Sequence, residues 1–371
     1  MVVVERAGGW SRGARALVGL ALLVALGGWG LGSVHAEPGC PADAGASGAR
    51  YVVWVPGLLS SSLTGLEPGT LDPGNHEVRD QFAGVREALA AGVGPGARFI
   101  YFSYGVPRLA RAGEAPERAW LGDTYFDEHE PRYWPQDTSS YPLAAHVAAL
   151  DWLVRGLEGC DPAATIDVIG YSLGGVVALA WAATADAGGD GPLAAVHRVI
   201  VVDSPVGGVN PAILSAAAAA APPEVAAAFG TGAVVGDLLP DGAVIRGLPA
   251  ATRRVDVASV ENSRDYLVNG APLPAWAGVG PDGWLARGAA VTFLPPERSP
   301  AAYYADMGTG TPIGTTLWDY VIGIHGAVLT DAGALQRLVE LLQSDGPLWR
   351  AREAPAGTSL WPAATTDAGS S

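Results

Sequence analysis

Apolar residues recur along this chain in two alternating rhythms. Short continuous runs of β-formers occur at 51–55, 98–104, 166–169, 199–202, 253–260 and 289–294, most of them bounded by Gly, Pro or polar residues. Runs of this length and composition read as strands buried on both faces. Between them the spacing changes. Leu143, Val147, Leu150, Val154 and Leu157 fall at intervals of four, three, four and three, which predicts an amphipathic helix with Ser139 or Ser140 as its cap. Further helices are expected over 79–91, with Val85, Ala88 and Leu89 on one side, over 175–186, and over 334–342, with Leu335, Leu338 and Leu342 in line. Residues 113–137 are polar, irregular and aromatic and read as an excursion loop. Residues 211–248 are Ala-rich and interrupted by Pro222-Pro223. No internal repeat is present. Strands alternating with helices predict an α/β fold, with a mostly parallel central sheet covered by helices on both faces. No Pro/Gly-rich linker divides the chain, so one domain with an insertion is expected.

Residues 166–175 read Ile-Asp-Val-Ile-Gly-Tyr-Ser-Leu-Gly-Gly. An apolar strand runs into a turn at Ser172, and an apolar helix follows. This is Gly-x-Ser-x-Gly at a strand–turn–helix corner, the setting of a nucleophilic serine. The glycines have a physical reason: side chains beside so sharp a turn collide with the neighbouring strand and helix. The alternative is a plain glycine-rich βα turn.

A serine hydroxyl is a poor nucleophile at neutral pH and needs a base, normally a histidine oriented by a carboxylate. The chain holds six histidines. His35 lies near the start, His76 precedes the first helix, His129 lies in the acidic excursion, His146 is mid-helix and His197 starts a strand. His325, in Gly-Ile-His-Gly before the last helix, is the best-placed base. In the order Ser…Asp/Glu…His the acid lies between Ser172 and His325. Asp265, in a loop after the 253–260 strand, leads. Asp203, at the end of the 199–202 strand, is the chief rival, and Glu261 is third. The oxyanion of a tetrahedral intermediate needs N–H donors. Leu173, just after the nucleophile, supplies one, and Leu58, in the loop after the first strand, is the choice for the second.

Composition adds the setting. The 371 residues are 49% hydrophobic with twelve Trp, enough for a sizeable core. All 22 basic residues are arginine and the formal charge is −15. An acidic chain with no basic stripe argues against nucleic acid as a partner. It does not exclude a transient contact with a lipid interface, and no obligate protein partner is indicated. Arg6, Arg12 and Arg15 precede an apolar stretch over 16–26 and a small-x-small site at Val34-His35-Ala36, which reads as a cleaved export signal over 1–36. The alternative is an uncleaved anchor, against which Gly27, Gly28, Gly30 and Gly32 weigh. The expected organisation continues with a linker over 37–50, the catalytic domain over 51–347 with a cap at about 209–250, and a tail over 348–371.

Five motifs in order, Pro-Gly-Leu-Leu-Ser-Ser from Pro56, Gly-Tyr-Ser-Leu-Gly-Gly from Gly170, Asp-Ser-Pro-Val-Gly-Gly from Asp203, Ser-Arg-Asp-Tyr-Leu-Val from Ser263 and Gly-Ile-His-Gly from Gly323, resemble the α/β-hydrolase superfamily. The likeness spans residues 51–345 and is greatest to the secreted bacterial lipase and esterase branch. The Pro-Gly-x-x-x-Ser loop is also similar to lecithin–cholesterol acyltransferase-like and glycosylphosphatidylinositol deacylase-like members. Val55-Pro56 stands where many lipases have a histidine before the glycine, and Tyr171 stands where histidine is common. The resemblance implies an α/β-hydrolase fold and a serine esterase or lipase working without cofactor or metal. It further implies that the strands following Cys40 and Cys160 are neighbours, and hence a Cys40–Cys160 disulfide. The substrate class it points to is a small-molecule or lipid ester. The apolar segment after Asp203 suits a lid over a hydrophobic acyl chain, the alternative being an ordinary packed helix pair. Trp120, Tyr125, Phe126, Tyr133 and Trp134 are candidates for a pocket wall. Asp123, Asp127, Glu128, His129 and Glu130 have no regular calcium-ligand spacing and read as a solvated acidic loop. An acyltransferase of the same triad type, a peptidase or amidase, and a non-catalytic binding protein on a hydrolase scaffold are the competing readings.

Overall fold

The apolar runs become six parallel strands. The computed structural model describes residues 48–58, 60, 85–94, 96–120, 131–134, 136–185, 192–209, 211, 215, 232–262, 290–294 and 325–344. All belong to the second of two units, Glu37–Ser371; the first is Met1–Ala36. In chain order the main elements are β1 (Arg50–Val55), a helix α1 at 85–93, β2 (Ala97–Tyr101), α2 (Val106–Ala112), α3 (Leu143–Cys160), β3 (Thr165–Tyr171), α4 (Leu173–Thr184), β4 (Val196–Val202), β5 (Asp256–Asn262), β6 (Ala290–Leu294) and α5 (Ala332–Gln343). The sheet order is β2-β1-β3-β4-β5-β6, and every pairing is parallel. The order turns back at β1, so the loops leaving β1 and β3 diverge and open a crevice at their carboxyl ends. In open α/β sheets, ligands bind at such a switch point.

Side-chain alternation divides the core into two layers. Tyr51, Val53 and Val55 of β1 pack with Leu150 and Val154 of α3 and Val177 and Trp181 of α4. Val52 and Trp54 face the other way, onto Val85 and Leu89 of α1 and Leu338 and Leu342 of α5. A sheet covered on both faces is why its strands read as unbroken apolar runs.

Several elements differ in extent from the sequence expectation. Strand β4 starts at Val196, ahead of its apolar run, and so takes in Arg198. That guanidinium is fully buried, 3.5 Å from Asp167 of β3, and it donates to Ser344 Oγ at 2.6 Å and to the Leu341 carbonyl at the end of α5. Charge inside a buried strand is invisible to a hydrophobic pattern and is stabilised only by tertiary partners. Helix α3 continues to Cys160 and has Pro142 as its N-cap residue, not Ser139 or Ser140, which belong to a separate turn over Asp137–Ser140. Its first free amide, Leu143 N–H, donates 2.9 Å to the Asp237 carboxylate, 94 residues away. Helix α2 was not expected, although Pro107 in its first turn and Gly113 at its end (φ 71°) are its signals.

The described ends of the 113–137 excursion join the core. Trp120 and Tyr133 are 1% exposed, and Trp120 donates its indole N–H to the Tyr101 carbonyl at 2.8 Å. Both are core side chains, and the rest of the excursion lies outside the described residues. Val234, Leu238, Ile245 and Leu248, at the far end of the Ala-rich insertion, are also in the core layer shared with α4. The insertion's stems meet where Val209 N–H donates to the Leu238 carbonyl at 2.8 Å. Cys160 is partly buried at the end of α3, and no free cysteine occurs among the described residues. Its expected partner Cys40 lies outside them. Among the described residues no helix is long and apolar enough to cross a membrane.

Candidate active site

Ser172 sits at the corner between β3 and α4 with φ 53° and ψ −121°. Among the described residues, only Ser172 and Asp203 hold a positive φ without being glycine. Such backbone is costly and persists where surrounding structure enforces it. The enforcement here is visible. Ser172 N–H donates to the Val202 carbonyl, and Asp203 N–H to the Val260 carbonyl, each at 2.9 Å. A Cβ on Gly170 would lie 2.4 Å from the Gly174 carbonyl oxygen, and one on Gly174 would lie 2.0 Å from that of Val55. The Gly-x-Ser-x-Gly pattern therefore reflects backbone-to-backbone contact on both sides of the serine. A strained serine corner at the switch point of this parallel sheet decides the architecture. The chain has the α/β-hydrolase fold.

In this fold His325 comes to Ser172 from 153 positions away, its Nε2 2.7 Å from Ser172 Oγ. With Nε2 facing the serine hydroxyl, the tautomer assigned from the partners carries its proton on Nδ1. On that side lies Asp203, its Oδ2 3.6 Å from Nδ1. That separation exceeds a hydrogen bond and is within ion-pair range; such contacts tighten when substrate is bound. Asp203 is fully buried, and His325 is 7% exposed. Little water therefore separates the carboxylate from the ring, which strengthens its field on any imidazolium that forms.

Tyr171 fixes the imidazole from a third direction. Its ring stacks on that of His325 at 5.1 Å and 27°, and its hydroxyl donates to the His325 carbonyl at 3.1 Å. Across the crevice, the loop after β1 presses on the corner: a Cβ on Gly57 would meet Ser172 Cβ at 3.0 Å. Leu58 follows it, half-buried. Leu173 is the first residue of α4, where amides have no partner within the helix.

The structure thus brings Ser172, His325, Leu58 and Leu173 to one crevice and adds Asp203 to them. Asp265 lies outside the described residues. Glu261, on β5, is fully buried and accepts a hydrogen bond from the Ser259 hydroxyl. Tyr171 was legible only as the residue standing where histidine is common. The sequence offers Tyr133 as a candidate pocket wall and Ser60 as part of the Pro-Gly-Leu-Leu-Ser-Ser motif; that both meet behind the β1 loop with Tyr104 carried no sequence signal. Among the described residues no cluster of three His, Cys, Asp or Glu could hold a metal, and residues 121–130 lie outside them.

No protein-family model and no curated protein matches the chain. Among solved structures it is similar to lipase B of Aspergillus fumigatus at 15% identity, over 84% of this chain and 57% of that one, with a TM-score of 0.42. It is also similar to a lipase-esterase related protein of Clostridium acetobutylicum (10% identity, 80% and 94% covered, TM-score 0.38). A third likeness is to the monoacylglycerol lipase of Paleococcus ferrophilus (12%, 67% and 86%, TM-score 0.34). The chain spans a little over half the length of the fungal lipase.

Proposed function

We propose that this chain is a serine hydrolase of carboxylic esters, acting through an acyl-Ser172 intermediate. The observation that supports this most directly is the 2.7 Å approach of His325 Nε2 to the hydroxyl of a serine held in strained backbone. In the proposed cycle Ser172 Oγ attacks the ester carbonyl carbon as its proton passes to His325 Nε2. The carbonyl oxygen becomes an oxyanion held by the N–H groups of Leu173 and Leu58, the former at a helix N-terminus. Collapse of the intermediate breaks the ester C–O bond, and the departing alkoxide takes the proton from His325. Water then attacks the acyl-enzyme with His325 again as base, releasing the acid and restoring Ser172. Asp203, buried beside Nδ1, stabilises the imidazolium in both halves and takes the role of the acid.

A hydrophobic acyl ester, of a small molecule or a lipid, is the proposed substrate class, and the acidic surface permits brief contact with a lipid interface. Export after cleavage at Ala36 and a Cys40–Cys160 bridge belong to the same proposal; the intact mass of the exported chain, before and after reduction, checks both. The deciding test is hydrolysis of p-nitrophenyl esters of increasing chain length by wild type and Ser172→Ala. Wild type is expected to turn over and Ser172→Ala to be silent. Equal activity in the two would overturn the mechanism, and a rate that peaks at acetate would overturn the preference for hydrophobic acyl chains.

A further inference from the structure

The loop that is proposed to supply Leu58 N–H is gripped from behind by buried hydroxyls. Ser60 Oγ donates to the Gly57 carbonyl at 2.6 Å, and Ser60 N–H reaches the same oxygen at 3.4 Å. Tyr133 Oη lies 3.0 Å from Ser60 Oγ. A hydroxyl has one proton, and Ser60 spends its own on Gly57, so Tyr133 is the donor to Ser60. One peptide earlier, Tyr104 Oη donates to the Pro56 carbonyl at 2.7 Å. Ser60 is 4% exposed, Tyr133 1% and Tyr104 not at all. Burial holds both phenols well above their ordinary pKa, so they stay protonated donors. The rings of Tyr104 and Tyr133 meet edge to face at 5.5 Å.

The segment bearing Tyr133 is itself fixed. Ser103 Oγ donates to the Arg132 carbonyl at 3.1 Å. Trp134 N–H donates to Asp137 at 3.0 Å, and Asp137 pairs with Arg108 at 3.1 Å.

A trans peptide is planar, and its C=O and N–H point in opposite directions. The oxygen of Gly57 and the amide of Leu58 belong to the same peptide. Holding that oxygen toward Ser60 therefore aims Leu58 N–H the other way, out of the hydroxyl cluster. Neither Gly57 nor Leu58 donates its N–H to a protein acceptor among the described residues. Gly57 places no side chain in the way, being the residue packed on Ser172. Glycine also makes this peptide easy to rotate, because it tolerates both signs of φ. An unheld Gly57–Leu58 peptide can flip, turning a carbonyl where the donor should be.

We infer that the chain Tyr133 O–H to Ser60 O–H to Gly57 C=O, with Tyr104 on the preceding carbonyl, is a lock that keeps the Gly57–Leu58 peptide in its oxyanion-binding orientation. Ser60, Tyr133 and Tyr104 are positioning residues, acting on substrate only through the Gly57–Leu58 peptide that they hold. The inference rests on the proposed ester hydrolysis.

The test uses Ser60→Ala and Tyr133→Phe, with Ser60→Thr as the conservative change, on the p-nitrophenyl ester that wild type cleaves best. Loss of one oxyanion donor costs about a hundredfold to a thousandfold in kcat, and a peptide that only samples the wrong orientation loses part of that. The expected result is a fall in kcat of about tenfold to a hundredfold with KM unchanged, since the donor meets charge only in the transition state. Ser60→Thr keeps the hydroxyl and restores most of kcat. Combining Ser60→Ala with Tyr133→Phe costs little beyond Ser60→Ala, because both act through one oxygen. Full kcat in both single variants, or a raised KM with kcat intact, overturns the lock. A fluorophosphonate probe separates the two levels. Wild type that is neither labelled at Ser172 nor active removes the hydrolase reading and the lock with it; labelled, active wild type with unaffected variants removes the lock alone. Thermal melts of each variant identify any that fails to fold, and Tyr104→Phe then takes its place under the same criteria.

Discussion

Ser172 and Asp203 share an unusual backbone region, and each ends a neighbouring central strand. Both are held by the next strand along, through the Val202 and Val260 carbonyls. The sheet thereby spends conformational strain on two adjacent corners that face one imidazole. At this scale the acid proposed for the site rests on one contact: Asp203 is fully buried, 3.6 Å from the imidazole. Asp203→Asn removes the charge while keeping the shape, and kcat is expected to fall about ten-thousandfold, the scale set by the same change in a triad carboxylate. Asp265→Asn is expected to leave kcat near wild type. Steady-state kinetics of the two variants side by side checks this, and the larger loss in Asp265→Asn would transfer the role to Asp265. The sequence ranked Asp265 first because it lies in a loop after a strand. An aspartate beside Pro205 reads equally as turn-forming, and the positive φ that turns Asp203 toward His325 leaves no mark in the sequence.

Elements are tied to one another by carboxylates aimed at free backbone amides. Asp161 accepts from Gly48, Ala49 and Ala163, stitching the start of β1 to the end of α3. Asp331 caps α5 through Ala334 N–H at 2.9 Å. The cap of α3 comes instead from Asp237, in the insertion. Burial raises the Asp237 pKa, and the Leu143 amide opposes that shift. Asp237→Ala is expected to lower stability by about 1 kcal/mol, the usual worth of a helix cap, read as a shift in urea midpoint at constant slope. Activity is expected to survive, since α3 does not carry the site. A variant as stable as wild type would show that this contact contributes nothing. No local rule finds this cap, because its donor and acceptor are far apart in the chain.

At the scale of the whole molecule, the core holds a histidine out of water whose cost varies with pH. His146 is fully buried on α3, its ring 4.8 Å from that of Tyr104 and 6.4 Å from that of Tyr141. Burial pushes its pKa from 6.5 down to about 3, with the Thr138 backbone acting weakly the other way. The folded state therefore binds this proton less readily than the unfolded chain. Between pH about 6.5 and about 3 the unfolded state gains the proton and the folded state does not. Stability from this group is complete above that window and falls with decreasing pH through it, by up to about 1.4 kcal/mol per pH unit. Asp137 and Asp237, raised by burial, contribute with the opposite sign as pH falls through their folded values. Comparing wild type with His146→Phe cancels them. Urea midpoints for His146→Phe are expected to depend less steeply on pH over that window, and identical dependence would remove His146 as the cause.

The sequence by itself determined the parallel sheet, the helical cover on both faces, the serine corner and the pairing of Ser172 with His325. Each follows from a local regularity: unbroken apolar runs for doubly covered strands, 3.6-residue spacing for α3, glycines where backbones touch around Ser172, and a histidine in Gly-Ile-His-Gly before the last helix. Tertiary structure decided what depends on who meets whom. It placed Asp203 beside His325, buried Arg198 against Asp167 and the end of α5, capped α3 with Asp237, and drew Trp120 and Tyr133 into the core. It also set the Tyr133–Ser60–Gly57 chain behind the crevice. Hydrophobic periodicity records how each residue relates to its near neighbours and to water. A hydrogen bond between residues 73 positions apart, such as that of Ser60 with Tyr133, is a property of the folded backbone alone.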